Sequence, residues 1–93
     1  MAKEYVVKTT GTVNALGLLQ DLKPVPLDHH NKAPAAVTKG QSYILTYMWS
    51  GNPGSTLSVT LDGAAGGPVV LVKSAKMPEG KTKHGRSISF KAP

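Results

Sequence analysis

Tyr5, Val7 and Thr9 alternate with Glu4, Val6, Lys8 and Thr10, a period of two that puts successive side chains on opposite faces of a strand. Residues 42–49 carry this pattern most strongly. Tyr43, Leu45, Tyr47 and Trp49 occupy one face, and Ser42, Ile44, Thr46 and Met48 the other. Leu57, Val59 and Leu61 then point one way while Ser58, Thr60 and Asp62 point the other. Between these two runs lies Ser50-Gly51-Asn52-Pro53-Gly54-Ser55, a turn-rich segment that predicts an antiparallel hairpin with a longer loop. Residues 69–73 are almost continuously apolar, which suits a strand covered on both faces. Residues 86–91 return to alternation, with Ile88 and Phe90 set against Ser87, Ser89 and Lys91.

Residues 13–22 have the density of Ala, Leu and Gln that a short helix needs, but Gly17 interrupts them. The same run alternates Val13, Ala15, Gly17 and Leu19 with Asn14, Leu16, Leu18 and Gln20. It reads as a strand or extended chain carrying apolar groups on both faces. Residues 23–39 contain Pro24, Pro26 and Pro34, and each proline removes a ladder donor, so a central strand is excluded there and a surface loop is expected. A glycine-rich turn is expected over residues 63–68 and a second long loop over residues 75–85. The fold class that follows is all-β. A small antiparallel β-sandwich of five to seven strands is expected, with a small β-barrel as the alternative, in a single domain spanning residues 1–93. The expected core is Val7, Tyr43, Leu45, Tyr47, Leu57, Val59, Leu61, Val70, Ile88 and Phe90.

Composition narrows the chemistry. Hydrophobic residues make up 40% of the 93 and charged residues 17%, too apolar for a solvated tail and too weakly charged for a coiled coil. Cysteine is absent, which removes disulfides, thiolate nucleophiles and thiolate metal ligands. The opening Met1-Ala2-Lys3-Glu4-Tyr5 lacks the basic, apolar, small-residue order of a secretory signal, so the expectation leans toward a cytoplasmic chain. The six-residue apolar stretch 67–72 is far short of the roughly 20 residues a spanning helix needs.

Eleven Lys and Arg against five Asp and Glu give a net charge of +6. Up to Pro53 there are five cations and three anions, and beyond it six cations and two anions, so the excess is +2 and then +4. Lys76, Lys81, Lys83, His84 and Arg86 are interleaved with Ser, Thr, Gly and Pro, a spacing that can meet a phosphate or sulfate backbone without reading a sequence. The aromatic face of residues 43–49 is expected to turn inward, because that leaves Ser42 and Thr46 outside. Turned outward, its rings would form a stacking platform for sugars or bases, and Trp49, at the strand end, is a candidate contact at the loop surface.

Asp28, His29, His30 and His84 are the weak candidates for a metal site, since imidazole and carboxylate suit zinc. Adjacent histidines on extended chain point apart, nothing in the spacing demands a metal, and a polar loop between prolines is the preferred account of them. Gly-x-Ser-x-Gly, Gly-x-Gly-x-x-Gly and Gly-x-x-x-x-Gly-Lys are all missing. In outline, residues 39–63 resemble strand pairs of many extracellular sandwich and sugar-binding modules, a likeness too general to identify a family. The expected function is therefore a non-catalytic binding or assembly module without a cofactor, taking a carbohydrate or polyanionic partner through its loops. Self-association through a sheet edge is a further expectation, with the weakly charged residues 57–61 as the exposed strand. The alternative is a metal-assisted hydrolase using His29, His30 and His84.

Overall fold

The computed structural model describes residues 3–64 and 66–93. Its strands are β1 (Glu4–Thr10), β2 (Val13–Gln20), β3 (Lys23–Val25), β4 (Lys32–Pro34), β5 (Ser42–Gly51), β6 (Thr56–Asp62), β7 (Val69–Lys76) and β8 (Lys83–Lys91). One four-stranded sheet runs β4-β1-β6-β7 and the other β3-β2-β5-β8, and all neighbours are antiparallel. The β-sandwich expected from the alternation is the fold, with eight strands in place of five to seven. The additional pieces are β3 and β4, each three residues long, in the proline-rich segment. Both are outermost in their sheets, where a proline without an N–H leaves no ladder bond unmade. The glycine turn expected over residues 63–68 includes Ala65, and the N-terminal signal reading includes Met1 and Ala2; these three lie outside the described residues.

β5 and β6 are not a hairpin, which corrects the expectation for the loop between them. They belong to opposite sheets, so residues 52–55 form an arch across the top of the core. An arch lets Tyr47 and Trp49 face Leu57 and Val59 across the interior, burying both rows at once. Several bonds hold it. Trp49 Nε1 donates to Ser55 Oγ at 3.1 Å, in a buried setting. The Met77 amide donates to Ser55 O at 2.8 Å, the Asn52 amide to Thr12 O at 3.0 Å, and the Gly51 amide to Thr82 O at 2.9 Å. The β1–β2, β5–β6 and β7–β8 crossings are thus tied together at one end of the molecule. Gly51 is required by close approach: a Cβ there would stand 2.3 Å from Thr12 O.

The core consists of Tyr5, Val7, Leu18, Leu45, Tyr47, Trp49, Leu57, Val59, Leu61, Val72 and Met77. Tyr43, Ile88 and Phe90 are partly buried around it. Val70, expected inside, is 60% exposed. β7 is an outermost strand and its pairing with β6 slips twice, so Val72 sits opposite Val59 while Val70 sits opposite the outward-facing Thr60. A continuous apolar run here marks irregular pairing at an edge rather than a doubly covered strand. Residues 57–61 are likewise corrected as a self-association edge, because β6 lies between β1 and β7 with both of its edges paired.

At the end away from the arch, Tyr5 on β1 donates its hydroxyl to Gln20 Oε1 on β2 at 2.5 Å, and Gln20 Nε2 donates to Ala36 O at 2.9 Å, which joins the two sheets. Burial, followed by the electrostatic influence of Asp21 and then of Tyr43, pushes the Tyr5 hydroxyl up to about 12. Asp21 and Leu22 link β2 to β3 with φ of 49° and 68°, the two positive values of a type I′ turn. Asp21 suits that turn and bonds Ile44 twice: its amide donates to Ile44 O at 2.8 Å and its Oδ1 accepts from the Ile44 amide at 2.9 Å. Leu22 makes a poor turn residue, held left-handed and 81% exposed.

Two consequences are measurable. Leu22→Gly relieves a left-handed leucine and should raise the unfolding free energy by about 1 kcal/mol in urea titration; unchanged or lower stability would mean the turn carries no strain. Because the folded Tyr5 pKa lies above the ordinary value of 10.0, the unfolded chain loses this proton first as pH rises. The stabilisation is therefore complete below pH 10 and is lost between there and about 12. Tyr5→Phe should flatten that alkaline fall in stability, and an equally steep fall in the variant would assign it to other groups.

Candidate functional site

The two sheets place β7 and β8 along one side of the sandwich and β3 and β4 along the other. All six cations beyond Pro53 fall on the first side: Lys73 and Lys76 on β7, Lys81 in the connection, and Lys83, Arg86 and Lys91 on β8. All are exposed. They do not share a flat face. Lys76 pairs with Thr56 on the outer row of its sheet, Lys83 pairs with Ser50 on the outer row of the other, and Arg86 lies opposite Tyr47 at the open edge of β8. Lys81 stands at the tip, where its amide closes a turn onto Pro78 O at 3.1 Å. Glu79 is the acid in this stretch. These cations line one side of the sandwich from the outer rows of both sheets and from the edge between them.

His84 and Trp49 lie next to Lys83 and Ser50 in the ladder, on the opposite face of the sheet. β5 and β8 pair them directly, and their rings meet edge to face with centroids 5.1 Å apart. Trp49 is only 2% exposed, with Tyr47 stacked at 6.1 Å on its inner side. The aromatic row is core, as the better polar partition implied. The indole of Trp49, named from the sequence as a ligand contact, packs in the core and holds the arch through its bond to Ser55 Oγ.

The structure brings Asp28, His29 and His30 together but not with His84. Asp28 Oδ1 accepts the amides of His30 at 2.8 Å and Lys32 at 3.1 Å, and Asn31 closes the turn with φ of 60° and an amide bond to Asp28 O. Those two backbone bonds, that of Lys32 first, hold the Asp28 carboxyl below its ordinary pKa. The His29 and His30 rings lie 3.9 Å apart in the same exposed turn, while His84 is on β8. Among the described residues, no three of His, Asp and Glu gather closely enough to hold a metal ion. Asp28 is accounted for as a turn-forming side chain.

The alternation did not bring out a feature of the outer face of the β3-β2-β5-β8 sheet. Register places Ala15, Ser50 and Lys83 in one outward row and Gly17, Met48 and Gly85 in the next. Met48, 43% exposed, rises between two glycines and leaves a cleft of about 490 Å³. Its lining is apolar except at one end, where Ser50, Lys83 and His84 contribute. Gly85 is partly required by the fold, since a Cβ there would lie 3.2 Å from Tyr47 O. Gly17 is not required. Its φ is not left-handed, and a Cβ would meet only Met48 Cγ, at an ordinary 3.8 Å. A glycine inside a strand costs roughly 0.5–1 kcal/mol relative to alanine, so Gly17 lowers the stability of β2. The available signal was the apolar character of both faces of residues 13–22, together with Ile44 and Met48 on the polar face of β5.

No family model, curated protein or solved structure matches this chain.

Proposed function

We propose that this domain is a non-catalytic binding module that holds a polyanion, a polymer of phosphate or sulfate groups, along its β7–β8 side. The observation that carries this reading is the collection of all six C-terminal cations on two adjacent edge strands and their connection. Their excess over Glu79 there gives a strong local field. Five of the six are lysines, point charges on flexible stems, and one arginine supplies little bidentate recognition, so the binding is read as non-sequence-specific. Cations on outermost strands also deter strand-to-strand pairing. β7 is blunted further by two slips in its ladder and by Ser74 at φ of 46°. These features weigh against self-association through that side and leave it open to an anionic chain.

The test is retention on heparin and on duplex DNA over a salt series. Each neutralised phosphate contributes about 0.9 to the slope of log affinity against log salt. The native chain should bind with a steep slope, and the Lys81→Glu, Lys83→Glu double variant should lose about two units of it. Both side chains are exposed, so circular dichroism should not change. Equal retention of the two proteins at every salt concentration would remove this side as the binding surface.

A further inference from the structure

We propose that the cleft around Met48 is a binding site for a small amphipathic anion, a carboxylate carried on an apolar body. Three observations support it. The cleft's volume of about 490 Å³ falls in the range of small-ligand sites, which are mostly apolar with a few polar groups that fix orientation. Its polarity is one-sided: Ala15, Gly17, Met48 and Gly85 form the body, while Ser50 and Lys83 occupy one outward row at the end, the ammonium matching a carboxylate and the hydroxyl able to donate to it. The third is Gly17, which neither the backbone conformation nor a close neighbour requires. Glycine in a strand interior often marks the close approach of a ligand, and here the missing side chain is what opens the floor beside Met48. A single charge on an apolar body distinguishes this ligand from the polymer proposed above; the two sites share only Lys83.

Methyl NMR reads the site directly, because the chain has only three methionines. Met48 lines the cleft and Met77, fully buried, serves as an internal control. Octanoate, titrated below its micelle concentration, should shift the Met48 methyl saturably and leave Met77 unmoved. Octylammonium should not. Lys83→Gln should weaken octanoate about tenfold, the loss expected for one charge-assisted bond. Gly17→Val should abolish the saturable shift while retaining native heparin binding, and Gly17→Ala, whose added methyl makes only an ordinary 3.8 Å contact with Met48 Cγ, should weaken octanoate without disturbing the fold. The proposal is overturned if octanoate gives no saturable shift, if octylammonium binds as well, or if Gly17→Val binds octanoate like the native chain. A Met48 shift that follows protein concentration without any ligand would assign the face to a second copy, and would overturn it too.

Discussion

Everything about this sandwich turns on the contact between Gly51 and the Thr12 carbonyl. The Cβ that any other residue would carry at position 51 falls 2.3 Å from that oxygen, well inside contact distance, so the last residue of β5 can pass the β1–β2 crossing only as glycine. The close approach lets the Asn52 amide reach Thr12 O and the Gly51 amide reach Thr82 O. Beneath them, Trp49 Nε1 and Ser55 Oγ satisfy each other in the buried corner of the arch. A buried indole N–H or serine hydroxyl left without a partner would cost about 1–3 kcal/mol, so the pair fixes where the chain leaves one sheet and enters the other.

From that knot the rest of the arrangement follows. β5 and β6 enter opposite sheets with their apolar rows facing, which builds the core. The β7–β8 connection is pinned from inside by Met77, whose amide bonds Ser55 O and whose side chain is buried. Lys81 is therefore held at the tip and Lys83 begins β8 beside Ser50. The same pinning lays the C-terminal cations along one side and sets Lys83 at the head of the Met48 cleft. The outer face of the β3-β2-β5-β8 sheet therefore carries both kinds of surface, Ile44 and Met48 on β5 beside Lys83 and Lys91 on β8, with Leu22 at the β2–β3 turn.

Strand identity was legible where one face is buried and the other wet: β1, β5, β6 and β8 announce themselves by alternation. Sheet membership was not, because a loop of Gly, Asn, Pro and Ser between two alternating runs suits a hairpin and an arch equally. Gly51 separates the two cases only once its neighbour Thr12 is known, a contact between residues far apart in sequence. The apolar run of β7 misled for a related reason: slips in the ladder turn consecutive residues the same way, so Val70 and Val72 part company although they are two apart. For the candidate sites, the basic cluster was visible as charge, but its collection on one side required the strand order. The cleft left a trace in β2, where both faces are apolar, and Gly17 looked like a helix breaker until the register placed it beside Met48.

The most direct test of the knot is Gly51→Ala, measured by urea unfolding together with the amide spectrum of the folded protein. An added carbon against a backbone oxygen cannot be relieved by a rotamer change, so the account predicts a loss of about 3 kcal/mol, the upper part of the overpacking range. Any folded fraction should show displaced amides at Asn52, Met77 and Lys83. Native stability with an unperturbed spectrum would contradict the account, since it would mean that the crossings are not tied at Gly51 and that the basic side is positioned by something else.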